Sequence, residues 1–189
     1  MVTTNEILDF WFGSDAADEA AQRRWFSADA EFDRLCVERF ATAHAEAVAG
    51  TLDGWRNEAR SSLALVLLLD QFPRNMFRNS PRAFATDAQA RAIARHAFAC
   101  GFDRRLPPLH RVFLYMPFQH SEALADQDES VRLTAELARD HPECAGFHDY
   151  AVRHRDVICR FGRFPHRNAI LGRATTLDEA AYMREHSGF

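Results

Sequence analysis

The chain has 189 residues, of which 23 are basic and 27 are acidic, and its formal net charge at pH 7 is -4. Every basic residue is an arginine, which excludes a Schiff-base lysine, a pyridoxal-phosphate lysine and a phosphate-loop lysine. A mildly acidic chain without a basic tail also argues against duplex nucleic acid as a partner, because duplexes are bound mainly by neutralising their phosphates.

Length and an apolar content of 47% predict one globular domain spanning residues 1–189. The N-terminus lacks the basic start and apolar stretch of a signal peptide, and the longest strongly apolar run, residues 63–69, is too short for a membrane helix. We therefore expect a soluble, cytoplasmic protein with no membrane partner and no cofactor. The cysteines have neither metal-ligand nor redox spacing and are expected to be small core residues: Cys36, Cys100, Cys144 and Cys159.

Two helices are predicted near the start of the chain. Thr3 and Glu6 have the spacing of a capping box, and Gly13 suits the left-handed turn that ends a helix. In a longer segment downstream, apolar residues recur at steps of three and four, which predicts a second amphipathic helix. Asp29 or Ser27 can cap its N-terminus.

The third predicted helix, from about Glu58 to Phe72, is apolar nearly all round in its middle. Leucine and alanine dominate and β-branched residues are scarce, so the pattern favours a buried helix over a strand. Pro73 is expected to terminate this helix. The segment Thr86–Gln89 has the pattern of another capping box and predicts a helix that ends at Gly101.

The helix that follows must kink or break at Pro117, before His120. A polar helix is predicted over about Asp128 to Arg139. Another helix begins after Pro142 and runs to Phe161, and Thr176 caps a short C-terminal helix. No alternating strand pattern of useful length appears. The sequence therefore predicts an all-α fold, a multi-helix antiparallel bundle or array.

The chain contains one short repetition. The first Phe-Pro segment, Phe72-Pro73-Arg74-Asn75, follows the buried helix, and the second, Phe164-Pro165-His166-Arg167-Asn168, follows the helix that ends near Gly162. A loop and a threonine-led capping box come after each segment. Proline leaves helix carbonyls unpaired, and arginine or asparagine side chains can cap them. Two such segments side by side would direct two guanidinium groups toward one place.

Positive charge is concentrated in one window of the chain. Residues 153–173 contain six arginines and one acid, a charge of +5, which leaves -9 for the remainder. Guanidinium forks match phosphate and carboxylate groups, so the window predicts a polar pocket for an anionic small molecule. Alternatively, the arginines pair internally with Asp70, Glu122 or Asp126. The pocket interpretation assigns ligand binding to nine residues: Asp70, Arg74, Asn75, His120, Glu122, Arg163, His166, Arg167 and Asn168.

His120 and Glu122 lie two positions apart. On a regular helix they would not share a face, and their spacing departs from the His-Glu-x-x-His zinc pattern, so no metal site is predicted. A kink after Pro117 could bring them into one cavity, with His120 or His166 as general base and Glu122 or Asp70 orienting it. The catalytic candidates of this alternative are His120, Glu122 and His166, and the reaction class it favours is hydrolysis.

Four separated motifs together resemble a bacterial family called domain of unknown function 924: residues 8–13, residues 69–75, His120-Ser121-Glu122 and residues 161–168. The resemblance spans nearly the whole chain. It implies an all-helical fold similar to tetratricopeptide repeats, and it implies no activity. A further alternative is therefore a helical-repeat module that binds a protein partner, which predicts a contiguous exposed apolar patch of several hundred Å².

Overall fold

The computed structural model describes residues 2–13, 24–25 and 28–186, and the regular structure in these ranges is helical, without a strand. The predicted all-α fold class is therefore confirmed. None of the helices in these ranges is both long enough and apolar enough to cross a membrane.

By its internal packing the chain divides into two compact units. The first unit comprises Met1–Arg78 and Arg82–Pro117, and the second comprises Asn79–Pro81 and Phe118–Phe189. A single domain over residues 1–189 stays a prediction, as does the similarity to tetratricopeptide repeats.

The first unit is built from helices that pack around a central buried one. In chain order its elements are α1 (Thr4–Phe12), α2 (Ala30–Val48), α3 (Ala59–Val66), a π-helical turn (Leu67–Gln71), α4 (Phe72–Met76), α5 (Asp87–Ala99) and α6 (Pro108–Gln119), whose last two residues belong to the second unit.

Two of the predicted helix starts are confirmed in this unit. The Thr3 hydroxyl accepts the Glu6 N–H at 3.2 Å, and the Glu6 carboxylate accepts the Thr3 N–H at 2.8 Å, which completes the capping box of α1. This helix ends at Gly13, where φ is 81°. Asp29 accepts two backbone N–H groups at the start of α2, and Ser27, the alternative cap, lies outside the described residues.

Pro73 does not end the buried helix, so that prediction was wrong: the helical backbone continues through α4 to Met76. A proline inside a regular α-helix removes an N–H donor and clashes with the preceding turn. The π-helical turn widens the backbone just before the proline, and the Phe72 N–H bonds to the Leu67 carbonyl five residues earlier. The helix therefore passes the proline without a break.

Side chains bind the two carbonyls that this arrangement leaves without their usual α-helical donors. His44 Nδ1 donates to the Leu68 carbonyl at 2.8 Å, and the Thr86 hydroxyl donates to the Leu69 carbonyl at 2.5 Å. The capping box predicted at Thr86 was consequently wrong, because α5 has no side-chain cap bond. The Thr86 hydroxyl, which the sequence pattern assigned to the helix start, instead binds the carbonyl of Leu69, four residues before Pro73.

An aromatic cluster fills the core of the first unit. Trp11 is 1% exposed, and its ring centroid lies 5.4 Å from that of Phe72 and 5.7 Å from that of Phe113. Trp25 donates its indole N–H to the Trp11 carbonyl at 2.7 Å. Edge-on and tilted aromatic pairs of this kind contribute about 0.5–1.5 kcal/mol each beyond the area they bury.

The second unit contains α7 (Leu124–Asp140), α8 (Ala145–Phe161) and α9 (Leu177–Glu185), and α7 packs extensively against α8. The polar helix begins four residues earlier than predicted. The predicted end of α8 is confirmed, since Gly162 has a φ of 67° in the left-handed region. The capping box of α9 is also confirmed: Thr176 accepts the Glu179 N–H at 3.2 Å.

The four cysteines divide into two kinds. Cys36 and Cys144 are buried as expected, but Cys100 and Cys159 are exposed, so the expectation of core positions was wrong for these two. Cys100 follows the last residue of α5, and Cys159 lies at an exposed position near the end of α8.

Candidate functional site

The nine predicted ligand residues fall into two groups, one in each unit. Asp70, Arg74 and Asn75 belong to the first unit. The second unit contains the other six: His120, Glu122, Arg163, His166, Arg167 and Asn168.

Arg74 is held between two carboxylates. Asp70 is fully buried in the π-helical turn, and its Oδ1 lies 3.4 Å from Arg74 Nη1. The same guanidinium forks onto Asp87, with both N–O distances at 3.1 Å, and it also donates to the Asp70 carbonyl. Burial opposes the charge, but the two carboxylates raise the pKa of Arg74 above its ordinary value. The charges of this group are thus satisfied internally.

Asn75 also binds its own helix. Its amide nitrogen donates to the Gln71 carbonyl at 3.2 Å, and its oxygen accepts Arg78 Nη2 at 3.1 Å. Arg78 in turn forks onto Asp33 with two N–O distances of 2.7 Å. The first Phe-Pro segment is therefore tied to α5 by Arg74 directly and to α2 by Asn75 through Arg78.

In the second unit, Glu122 binds a guanidinium and a backbone amide. Its Oε2 accepts Arg173 Nη1 at 2.7 Å, and its Oε1 accepts Arg173 Nη2 at 3.0 Å and the Phe164 N–H at 2.8 Å. Partial burial would raise the pKa of Glu122, but these donors lower it below its ordinary value. Glu122 is therefore an ionised carboxylate that positions the backbone of Phe164. Its pairing with Arg173 agrees with the alternative interpretation, in which arginines of the basic window pair internally.

Glu179 accepts hydrogen bonds from three other residues of this network. Arg163 donates Nε at 2.6 Å and Nη2 at 3.0 Å, the Thr176 N–H lies at 2.8 Å and Asn168 Nδ2 at 3.2 Å. These donors, Arg163 foremost, lower the pKa of Glu179 to about 2. Arg173 Nε donates to Asn168 Oδ1 at 3.0 Å and so joins this group to the preceding one. The capping pattern predicted the bond to Thr176, but nothing local indicated the other partners.

The backbone at His120 is held from beneath by buried donors. Arg167, 6% exposed, donates Nη1 to the His120 carbonyl at 3.1 Å, and its guanidinium carbon lies 4.5 Å from the centre of the Phe164 ring. Gln127 Nε2 donates to the carbonyls on either side of His120, at 2.7 and 2.6 Å. Three consecutive carbonyls are thus bound by two side chains, which fixes the chain at this point.

Three histidines lie around these groups. The ring centroid of His154 is 5.6 Å from that of Phe164 and 6.5 Å from that of His120, and His166 lies 5.5 Å from Phe164. Burial lowers the pKa of His154 to about 3, and the nearby Arg167 adds to this effect. Lost hydration and Arg167 lower the pKa of His166 to about 4, although its side chain reaches the surface. Both rings are neutral at pH 7. No set of His, Cys, Asp or Glu in the described ranges is arranged to hold a metal ion.

A groove of about 670 Å³ opens beside this cluster. Its volume is in the range of small-molecule sites in proteins. Of the predicted site residues, only His166 lines it. The polar and aromatic lining comes mainly from α8 and α9: Arg153, Asp156, Arg160, His166, Tyr182 and Glu185.

The arginines of the basic window have different roles. Arg163, Arg167 and Arg173 bind inside the unit, whereas Arg155 pairs with Asp128 at 2.5 Å. The remaining two, Arg153 and Arg160, line the groove. They lie seven residues apart on one face of α8, a helical spacing that the sequence contained but that the charge count alone did not reveal.

The two groove arginines also differ in their partners. Arg160 pairs with Asp178 at 2.7 Å and lies 5.5 Å from the Tyr182 ring centre. Arg153 lies 5.4 Å from the Tyr150 ring centre and has no ion pair within the described chain. Arg153 is therefore a guanidinium on the groove wall that no ion pair within the described chain engages.

Fold and site together define a helical protein whose second unit has a polar groove beside the ion-pair network of the second Phe-Pro segment. The model of a family described as a bacterial protein of unknown function, DUF924, matches residues 7–187. The chain belongs to this family, as the four motifs predicted. It is also similar to a solved structure of a protein of unknown function from Agrobacterium tumefaciens, with 43% identity, a TM-score of 0.87, and coverage of 96% of this chain and 97% of that one. No curated protein matches the chain.

Proposed function

We propose that this protein binds a small molecule with an anionic group in the groove of the second unit. The observation that carries the proposal is Arg153, a guanidinium without an ion pair in the described chain, on the wall of a groove of about 670 Å³. A guanidinium binds carboxylate and phosphate groups through two parallel hydrogen bonds. The guanidinium carbon of Arg153 lies 5.4 Å from the centre of the Tyr150 ring, a cation–π contact that favours this position of the side chain.

The remaining lining suits the body of such a ligand. Val157, Pro165 and Met183 offer apolar surface, and Tyr182 offers an aromatic face. Small-molecule sites typically combine apolar walls with a few placed polar groups. His166 is neutral at pH 7 and so can donate or accept a hydrogen bond there.

In this proposal the other predicted residues of the second unit are positioning residues. Glu122 fixes the backbone of Phe164, and Asn168 and Arg163 tie the end of the second Phe-Pro segment to Glu179. Together they hold Pro165 and His166 at the groove wall. Asp70, Arg74 and Asn75 have no part in the binding site, because their polar groups bind one another and their neighbours.

Hydrolysis by His120, Glu122 and His166 is less well supported. A general base works best when its pKa is near the working pH, and the pKa of His166 is about 4. Glu122 accepts a hydrogen bond at each oxygen and is committed to Arg173 and Phe164. These carboxylate bonds suit support of the backbone better than proton transfer.

A protein-interaction surface is also less well supported. The large apolar side chains that are exposed in the described ranges are distributed over four helices: Val37, Val48, Leu124, Tyr150 and Leu177. Only one of them, Tyr150, lines the groove. This distribution does not favour the contiguous apolar patch that a helical-repeat module would present.

The proposal is tested by ligand-induced thermal stabilisation followed by calorimetric titration. Pyrophosphate, adenosine monophosphate and 3-phenylpropionate are the probes, and the proteins are the wild type, Arg153→Gln and the control Arg155→Gln. We expect at least one probe to stabilise the wild type. Arg153→Gln should weaken its binding about tenfold or more, since a hydrogen bond to a charged group contributes about 1.5–3 kcal/mol.

Arg155 lies on the same helix and pairs with Asp128, so its replacement should leave the affinity unchanged. If no probe stabilises the wild type, or if both variants lose affinity equally, the proposed function is wrong.

A further inference from the structure

The groove contains more negative charge than an anion site needs. Asp156 and Glu185 line it, and within the described chain neither carboxylate has an ion pair or a hydrogen-bond partner. Arg160 is ion-paired with Asp178, so Arg153 is the groove arginine without an ion pair in the described chain. The charges available to a ligand are therefore one guanidinium and two carboxylates.

Asp156 lies three residues after Arg153 on α8, so their Cβ atoms are about 5–6 Å apart on the same face. An anion bound to Arg153 would consequently lie close to a carboxylate and be repelled by it. A ligand that places a positive charge next to that carboxylate removes the repulsion and gains a second ion pair.

We propose that the ligand is zwitterionic: its carboxylate binds Arg153, and its protonated amine binds Asp156 and Glu185. This inference rests on the proposed function, because it takes Arg153 as the anion-binding group of the same groove. The chemical class it names is a short peptide or a peptide-like amino acid, whose two charged ends and intervening body suit a groove of about 670 Å³.

The aromatic lining fits the same class of ligand. Tyr182 stacks on His186 with centroids 4.2 Å apart, and it lies 5.2 Å from Phe161. These neighbours hold the tyrosine ring in place on the α9 side of the groove. A side chain or peptide plane of the ligand can pack against such a ring without losing hydrogen bonds at its charged ends.

Four forms of one dipeptide carry different combinations of the two terminal charges, so that the contribution of each charge to binding can be measured separately. Alanyl-phenylalanine carries both charges, its N-acetyl form only the anion, its C-terminal amide only the cation, and the doubly blocked form neither. Calorimetric titration of the full chain at pH 7 should show the free dipeptide binding at least tenfold more tightly than either singly charged form. The doubly blocked form should bind most weakly.

Two variants of the protein test whether Asp156 binds the positive charge of the ligand. Asp156→Asn should weaken binding of the free dipeptide about tenfold and leave the N-acetyl form bound at least as tightly as in the wild type. Asp149→Asn is the control, because Asp149 is exposed on the same helix but does not line the groove. Thermal unfolding of both variants checks that they fold, and since both side chains are exposed we expect the wild-type transition.

The outcomes distinguish the inference from the proposed function. If the N-acetyl dipeptide binds as tightly as the free dipeptide, or if pyrophosphate binds and no dipeptide does, the proposal of a zwitterionic ligand is wrong. The proposal of an anion-binding groove is then retained. If the C-terminal amide binds as tightly as the free dipeptide, the anion is not recognised and the proposed function fails. If neither a dipeptide nor any other probe binds, both are wrong.

Discussion

The two Phe-Pro segments have the same order of residue types, yet only one of them follows a helix end. In the first unit the backbone stays helical through Pro73 to Met76, because a π-helical turn precedes the proline. In the second unit α8 ends at Gly162, which adopts the left-handed conformation before Phe164 is reached. A glycine that can take a positive φ ends a helix, whereas a proline can be absorbed by a wider turn.

The two segments also use their polar residues differently. Arg74 lies between two carboxylates, so the first segment is a closed ion-paired unit. In the second segment Arg167 and Asn168 turn inward, while His166 reaches the surface and lines the groove. Because the backbone is no longer α-helical in the second segment, His166 can face outward although Pro165 and Arg167 on either side of it are buried.

Loss of Arg74 should have the largest effect on stability. Arg74→Ala leaves Asp70 and Asp87 in a buried site without their cation, and breaking a buried pair costs about 3 kcal/mol or more. Urea unfolding at pH 7 measures this loss. Arg34→Ala, which removes exposed pairs on α2, is the control and should change stability little. Equal stability of the two variants would show that the first segment is not held by its ion pairs.

Glu179→Gln should have a smaller effect that depends on pH. At pH 7 the loss of a charged acceptor for Arg163 costs about 2 kcal/mol. Because the pKa of Glu179 falls from its ordinary 4.5 to about 2 on folding, its contribution is complete above about pH 4.5 and is lost as the pH falls toward 2.

Urea unfolding of both proteins at pH 7, 4.5 and 3 follows this contribution. The difference in the free energy of unfolding between wild type and variant should be largest at pH 7 and smaller at pH 3. A difference that stays constant over this range would contradict the role of Glu179 as an ionised acceptor.

Gly162→Ala should have the smallest effect of the three. A Cβ at this position would meet no atom within 4 Å, so the cost is that of a left-handed alanine, about 1 kcal/mol. Gly146→Ala is a control of opposite sign: Gly146 lies inside α8 without a positive φ and with the same open space, and alanine there should stabilise by up to about 0.5 kcal/mol. Chemical unfolding of both variants measures the two changes in stability, and a Gly162→Ala variant as stable as the wild type would show that the left-handed conformation does not require glycine.

Local spacing was sufficient where the partner of a residue is near in sequence. Thr3 and Thr176 cap their helices as predicted, because the partner amide lies three residues away. Thr86 has the same pattern, but its hydroxyl binds the Leu69 carbonyl 17 residues earlier. A sequence pattern does not reveal that competition, which exists only because Pro73 lacks an N–H.

The site was predictable in part. The basic window was visible as a charge count, and the groove does draw Arg153, Arg160 and His166 from it. The distinction between arginines that face the groove and arginines that pair internally was not visible, since Arg173 binds Glu122 across 51 residues. Such long-range pairs depend on how α8 and its neighbours pack, and no local pattern encodes them.

Amide ¹H–¹⁵N chemical-shift mapping of the full chain tests the central claim most directly. The titrant is the probe that stabilises the protein most. We predict shift changes at residues 150–160, at His166 and at residues 182–186, and none at residues 70–72, 74–75 or at Asp87. Shift changes centred on the first Phe-Pro segment, or the absence of any shift change around the groove, would contradict the account.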